Sequence, residues 1–200
     1  MPEPTTPDES ALEDAYNDVL RKIGRNLVCF QMAEQILKEI AKLIGTTISM
    51  DNAAESLANE QKRVAKMTLG SLSTRFTDIY LLGKEPNPPA TPERLGKGGM
   101  ILTVSIENDP ETLAKRRESL EFLVNERNWL VHHLLDGFDR DCLQACREMA
   151  ERLDLQREAI LPEIEELRSD YLNIHESRRM LRAQIIKPEN RARFLAHLNS

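Results

Sequence analysis

The chain has 200 residues, of which 40% are hydrophobic, 30% charged and 4% aromatic, and its formal net charge is −6. This composition is typical of a folded, soluble chain and excludes a largely disordered one, and the length favours one domain with a short addition. No run of about 18 apolar residues is present, and residues 1–10 lack the basic and apolar parts of a signal peptide. We therefore expect neither a membrane span nor secretion.

The first half of the chain predicts two helices and a loop. Apolar residues recur three and four positions apart over 7–44, which is the spacing of one helical face, and Gly45 is a typical stop. A second helix is predicted from residue 51 or 52 to about 82, with Gly70 as the place where it would break. Residues 83–99 hold four of the eight glycines and four of the ten prolines, which predicts a loop.

The second half predicts one strand and two more helices. Residues 100–107 are rich in β-branched side chains and read as a strand, for which 46–50 is the one candidate partner, so a small β-hairpin and an isolated extended segment both stay open. A third helix is predicted over 110–135. A fourth is predicted from about 139 to 186, with a kink or break at Pro162.

These elements predict an all-α fold. We expect a bundle of four to five helices with a Gly/Pro-rich loop between its second and third helices. Residues 1–160 would form the bundle, and residues 161–200 would form a helical extension with a basic end. Residues 176–200 carry six basic and two acidic side chains, which could contact phosphates, although a solvated helix face is the more ordinary interpretation.

One arginine of the third helix stands where an apolar residue is expected. On a helical wheel, Arg127 falls in the stripe formed by leucines and valines between 113 and 135, while Phe122 and Trp129 lie on the opposite face, so the helix should be buried on two sides. A buried arginine costs several kcal/mol unless it is paired. A salt bridge to a neighbouring helix, a side chain that reaches the edge, and a polar cleft between subunits all stay open.

The residues after Arg127 add a specific pattern. The segment reads Arg127-Asn128-Trp129-Leu130-Val131-His132, and Asn128 and His132 lie four apart at one edge of the apolar stripe. This resembles the Arg-polar-x-x-x-His signature of the HEPN superfamily of helical ribonucleases. Arg25-Asn26 looks like a second start, but Phe30 stands where the histidine would be.

The resemblance implies a chemistry. Members of this superfamily cut RNA without a metal or other cofactor: a ribose 2′-OH attacks the adjacent phosphorus, which leaves a 2′,3′-cyclic phosphate and a 5′-OH. Histidine can serve as base or acid near neutrality, and arginine can hold a phosphate through two parallel hydrogen bonds. On this basis we assign His132 as general base or acid, Arg127 as phosphate clamp and Asn128 as the residue that orients them.

The resemblance also implies partners. Arg127 and His132 are about 140° apart on a regular α-helix, so one copy would not easily grip a single phosphate. Family members dimerise so that two motifs face a shared groove, and we expect a homodimer with an RNA substrate. Toxin and phage-defence members act with a neutralising partner, which predicts an antitoxin or regulatory protein. Leu134 replaces the tyrosine that one branch carries two positions after the histidine, so control through that tyrosine is in doubt.

Other residue clusters predict no further site. Cys29, Cys142 and Cys146 are an odd number of cysteines and suggest a reducing, cytoplasmic setting rather than a disulfide framework. Cys142 and Cys146 lack the second ligand pair of a structural zinc site, and the glutamates at 163–166 lack the histidines of a di-iron site. His133 reads as a packing or surface residue.

A second function class stays open. A helical bundle that binds a nucleotide or a partner protein without cutting RNA would suit the acidic charge of the chain. Such a module has no need of the combined Arg127, Asn128 and His132, so the sequence favours the metal-independent endoribonuclease.

Overall fold

The structure, a computed structural model, describes residues 7–48, 53–84, 100–107 and 109–187. Within these ranges the predicted all-α class is confirmed, with one small sheet added. The helices are α1 (Pro7–Ile44), α2 (Ala53–Ala65), α3 (Leu69–Arg75), α4 (Pro110–Asn128) and α5 (Leu143–Ile186), and π-helical turns prolong α3 over Phe76–Leu81 and α4 over Trp129–His133. The strands are β1 (Gly45–Ile48) and β2 (Met100–Thr103). No described helix has the length and apolarity needed to span a bilayer.

The first predicted helix is confirmed, and the second is divided. The predicted break at Gly70 is wrong, because α2 ends at Ala65 and α3 begins at Leu69. Thr68 explains this position. Its backbone is extended (φ −83°, ψ 165°), and its hydroxyl oxygen accepts a hydrogen bond from the Ser71 N–H at 3.4 Å, so it caps the new helix.

The two strands pair antiparallel, with Gly45 opposite Thr103 and Ile48 opposite Met100. The candidate partner segments therefore do meet, but they do not form a local hairpin, because α2 and α3 lie between them in the chain. The Ile106 N–H donates to the Tyr80 carbonyl at 2.9 Å and so ties the segment after β2 to α3 and its π turn. The part of the predicted 83–99 loop that runs from residue 85 to residue 99 lies outside the described residues.

The last two predicted helices are present with altered ends. The helical run of α4 and its π turn stops at His133 rather than at residue 135, and Gly137 then takes a positive φ of 74°. The helix α5 begins at Leu143 rather than near 139, because the Asp139 carboxylate accepts from the Asp141 N–H and closes a turn there. Pro162 lies inside α5 without ending it. The predicted boundary at 160/161 thus falls within this helix.

The chain forms two compact units. The first comprises Met1–Ala33 and Ser119–Glu165, and the second comprises Glu34–Glu118 and Glu166–Ser200. The first unit carries the predicted catalytic residues. Its apolar core takes side chains from α1, α4 and α5, namely Val19, Phe30, Ala33, Leu120, Leu123, Leu130, Cys146, Leu153 and Ile160.

A buried arginine organises the second unit. Arg116 is only 6% exposed, donates to the Glu166 and Asp170 carboxylates at 2.7 Å each, and lies 5.8 Å from the centre of the Phe76 ring. Burial raises the pKa of Tyr80 to about 12, and the negative charge of Asp170 adds to the effect. The surrounding core is apolar and includes Leu37, Ile40, Ile44, Leu72, Ile79, Leu167 and Ile174.

A charged cluster joins α1 to α5 in the first unit. The Lys22 ammonium lies 2.6 Å from one Asp154 oxygen, and the Arg25 guanidinium lies 2.7 Å from the other. The hydrogen bonds from Lys22 and then Arg25 hold the pKa of Asp154 below its usual value of 3.8. A depressed carboxyl pKa contributes stability above the unfolded value, and that stability is lost as the pH falls toward the folded value.

Asp154→Asn should therefore lower the free energy of unfolding near neutral pH by about 1 kcal/mol, since the carboxylate is partly exposed and its attraction to both cations is screened. Part of the wild-type loss of stability between about pH 5 and pH 3 should also disappear in this variant. Urea unfolding across that range measures both effects. Glu151→Gln, an exposed neighbour on α5, is the control. Equal stability of the Asp154 and Glu151 variants at every pH would contradict the prediction.

Candidate functional site

The predicted catalytic residues lie where α4 passes into its π turn. Asn128 is the last α-helical residue (φ −67°, ψ −40°), and Trp129–His133 follow as a π-helix. Turns of this kind are rare and often occur at functional positions. In an α-helix, the hydrogen bonds join residues four apart, so side chains four apart lie on one side of the helix. In a π turn the bonds join residues five apart, so side chains five apart lie on one side. Since most of the path from Arg127 to His132 follows this turn, the about 140° of a regular α-helix does not describe their separation.

The π turn also changes which side chains are buried. Leu130 and Leu134 are buried, but Val131 is 44% exposed and Leu135 is 75% exposed. The helical wheel predicts that Val131 and Leu135 lie in one apolar stripe with Arg127, and this prediction is wrong for both residues. The extra residue in the π turn shifts the phase of the helix, so positions after Asn128 no longer follow the 3.6-residue period.

Arg127 is half-buried and has a neutral partner. Its Nη1 donates to the Asn128 side-chain oxygen at 3.1 Å. In the part of the chain that the structure describes, no carboxylate lies within ion-pair distance of Arg127. The salt bridge that the wheel left open therefore finds no support there, and most hydrogen-bond donors of the guanidinium have no partner among the described residues.

His132 lies on the next turn and is exposed to solvent. Its ring centre is 6.4 Å from that of His133, with the planes 72° apart. Among the described residues no hydrogen bond engages either nitrogen of His132. The structure thus brings Arg127 and Asn128 into contact, while the described residues show no hydrogen bond between either of them and His132.

His133 has a partner that the sequence analysis missed. Its Nδ1 lies 3.0 Å from an Asp136 carboxylate oxygen, and both side chains are exposed. A histidine held by a carboxylate is a usual arrangement for a base, so His133 is the natural competitor of His132 for that role. The sequence feature that could have predicted this contact is Asp136, three positions after His133, because one helical turn brings such residues together.

A cation–π contact adjoins the same turn. The Arg152 guanidinium carbon lies 3.5 Å from the centre of the Trp129 ring, with the arginine exposed and the tryptophan half-buried. Such a stack stabilises an exposed pair by about 0.5–1 kcal/mol and holds the indole in place. The sequence analysis missed it, because nothing in the local pattern relates α5 to the first residue of the π turn.

The cysteine and glutamate groups in which the sequence predicted no site have hydrogen-bond partners of their own. Cys146 is buried, its thiol lies 3.4 Å from the Arg140 carbonyl, and burial raises the pKa of the thiol. The Ser119 hydroxyl donates to Glu163. The described residues contain no group of three or more His, Cys, Asp or Glu side chains arranged to hold a metal ion.

Comparison of the chain with protein-family models, curated proteins and solved structures found no match.

Two arginines give a direct test of whether Arg127 is a structural ion-pair member. Arg127→Met should leave the free energy of unfolding within about 1 kcal/mol of the wild type, because no described carboxylate loses a partner. Arg116→Met should cost about 3 kcal/mol or more, because Glu166 and Asp170 lose the cation between them. Urea unfolding at neutral pH measures both. A loss from Arg127→Met as large as that from Arg116→Met would show that Arg127 is a structural residue.

Proposed function

We propose that the protein is a metal-independent endoribonuclease of the toxin or phage-defence type that cleaves RNA to 2′,3′-cyclic phosphate and 5′-OH ends. The observation that carries this proposal is the Arg127-Asn128-x-x-x-His132 pattern, in which the arginine has no described carboxylate partner and the histidine is exposed. A half-buried arginine without a carboxylate partner has hydrogen-bond donors left for the phosphoryl oxygens of a substrate.

The reaction needs three contributions, and the residues at the π turn match them. A base takes the proton of the ribose 2′-OH as its oxygen forms the new bond to phosphorus. The bond from phosphorus to the 5′ oxygen breaks, and that oxygen receives a proton from an acid. His132 takes one of these two proton-transfer roles, Arg127 stabilises the negative charge on the phosphoryl oxygens, and Asn128 orients the guanidinium through its side-chain oxygen.

The proposal includes a homodimer and a regulating partner. A dimer would supply a second histidine, so that one His132 acts as base and the other as acid across a shared groove. This part rests on the resemblance to the HEPN superfamily, because the π turn weakens the argument that a single copy cannot bring Arg127 and His132 to one phosphate. An antitoxin or another regulatory protein would restrain the enzyme in the cytoplasm.

His132→Ala should abolish RNA cleavage, because no other described group of the site combines exposure with two available ring nitrogens. Purified wild type and variant are incubated with total RNA and a tRNA pool in EDTA, and fragments and end groups are resolved on a gel. His133→Ala is the matched control: it removes the neighbouring imidazole and should keep at least about half of the activity. Loss of activity in His133→Ala alone would move the proton-transfer role to the His133–Asp136 pair.

Equal cleavage by wild type and His132→Ala would contradict the assigned chemistry. Absence of cleavage by the wild type, with RNA or a nucleotide still bound, would favour the binding module instead. Arg127→Met tests the assigned charge stabilisation separately. The enzyme should lose at least about a hundredfold in cleavage rate, and an unchanged rate would contradict the role of Arg127 as phosphate clamp.

A further inference from the structure

The second unit contains a polar pocket that the proposed ribonuclease chemistry does not use. It has a volume of about 380 Å³ and is formed by α2, α3 and the π turn Phe76–Leu81. The described residues that line it include three cations, two hydroxyls and one carboxylate, namely Arg63, Arg75, Lys84, Ser71, Thr74 and Asp78. This volume lies within the range of small-molecule pockets. The three cations outnumber the two carboxylates beside them, Asp78 in the lining and Glu60 on both arginines, and the remaining positive charge favours an anionic ligand.

Arg75 is the buried member of the lining. Its side chain is 5% exposed, and its Nη2 donates to the Gly45 carbonyl at 2.6 Å and to Glu60 Oε1 at 2.7 Å. Its Nε is buried without a hydrogen-bond partner among the described residues. Burial lowers the pKa of Arg75, Glu60 opposes that effect, and the charge of Arg63 adds to it. An additional negative charge near Arg75 would therefore stabilise a guanidinium that the protein alone leaves incompletely satisfied.

The other two cations are held at the pocket by carboxylates. The Arg63 guanidinium contacts Glu60 at 2.7 and 2.9 Å, and Lys84 lies 2.7 Å from Asp78. Lys84 is 59% exposed, so it can reach a ligand from the solvent side. The hydroxyl protons of Ser71 and Thr74 are donated to the Thr68 and Gly70 carbonyls, so these side chains offer an anion no donor and its recognition depends on the cations.

The backbone at this pocket is unusual in the same way as at the candidate catalytic site. The π turn that supplies Asp78 and Ile79 is one of two in the described residues, and the other carries His132. π turns are retained mostly where a function compensates for their poorer geometry. Ile79 and Met67 also give the pocket an apolar wall, which a bare inorganic ion does not need.

We propose that this pocket binds a small phosphomonoester, with the phosphate held by Arg63, Lys84 and the buried charge of Arg75 and the carbon part against Met67 and Ile79. The cavity is several times larger than one phosphate ion, which favours a phosphate carried by a small organic group. Arginine and lysine together are the usual recognition set for a terminal phosphate. This inference goes beyond the proposed ribonuclease and does not depend on it.

Calorimetric titration of the full chain tests the proposal with ribose 5-phosphate, inorganic phosphate and acetate as probes. We expect saturable binding of ribose 5-phosphate, weaker binding of inorganic phosphate and none of acetate. Lys84→Gln and Arg63→Gln should each weaken ribose 5-phosphate binding about tenfold through loss of one charged contact. Lys62→Gln, an exposed lysine of α2 outside the lining, is the matched control and should bind as the wild type does.

Four outcomes would overturn the proposal: no saturable binding of ribose 5-phosphate at millimolar concentration, unchanged binding by Lys84→Gln, equal weakening by Lys62→Gln, or equal binding of acetate. Circular dichroism shows whether each variant is folded. If Arg63→Gln does not fold, Lys84→Gln alone tests the proposal. The His132→Ala variant should bind the probe normally. Its RNA cleavage and the probe titration therefore report on the two proposals separately.

Discussion

The first unit depends on one fully buried amide. Asn26 of α1 is 0% exposed and donates from its side chain to the Leu153 carbonyl at 2.7 Å and to the Gln156 side-chain oxygen at 2.9 Å. Gln156 in turn donates to the Glu126 carboxylate at 2.8 Å. A buried amide left unsatisfied is costly, so this chain of hydrogen bonds sets the register of three helices together. Because Glu126 directly precedes Arg127, the same register decides where the candidate site begins.

The dipeptide Arg-Asn occurs twice in helices of this unit with opposite consequences. In α1, Arg25 is 2.7 Å from Asp154 and Asn26 is fully buried and hydrogen-bonded, so both residues serve the fold. In α4, the only hydrogen bond of the Arg127 side chain among the described residues is to Asn128, and both are half-buried. The difference lies in the tertiary partners, since α5 presents an aspartate to the first pair. A motif match alone does not distinguish the two situations.

The two π turns connect local geometry with the two proposals. Each prolongs a helix by one wider turn, and each directly follows or closely follows an arginine in the chain: Phe76–Leu81 comes after Arg75, and Trp129–His133 begins two residues after Arg127. The arginines differ in burial, because Arg75 is 5% exposed and partnered by Glu60, whereas Arg127 is half-buried. The buried Arg75 suits a small ligand held in a pocket, and the half-buried Arg127 suits an extended substrate that approaches an exposed surface.

The sequence by itself determined the all-α class, the bounds of the first helix and the motif, because these rest on local periodicity and on residue identity. The break at Thr68 and the exposure of Val131 and Leu135 were decided by cap chemistry and by a π turn, which the 3.6-residue wheel does not represent. Only the tertiary structure decided the contacts that give the motif its surroundings. The ion pair of Arg25 with Asp154, the stack of Arg152 on Trp129 and the hydrogen bond of Arg75 to Gly45 all join different elements, and a local pattern contains no information about which elements meet.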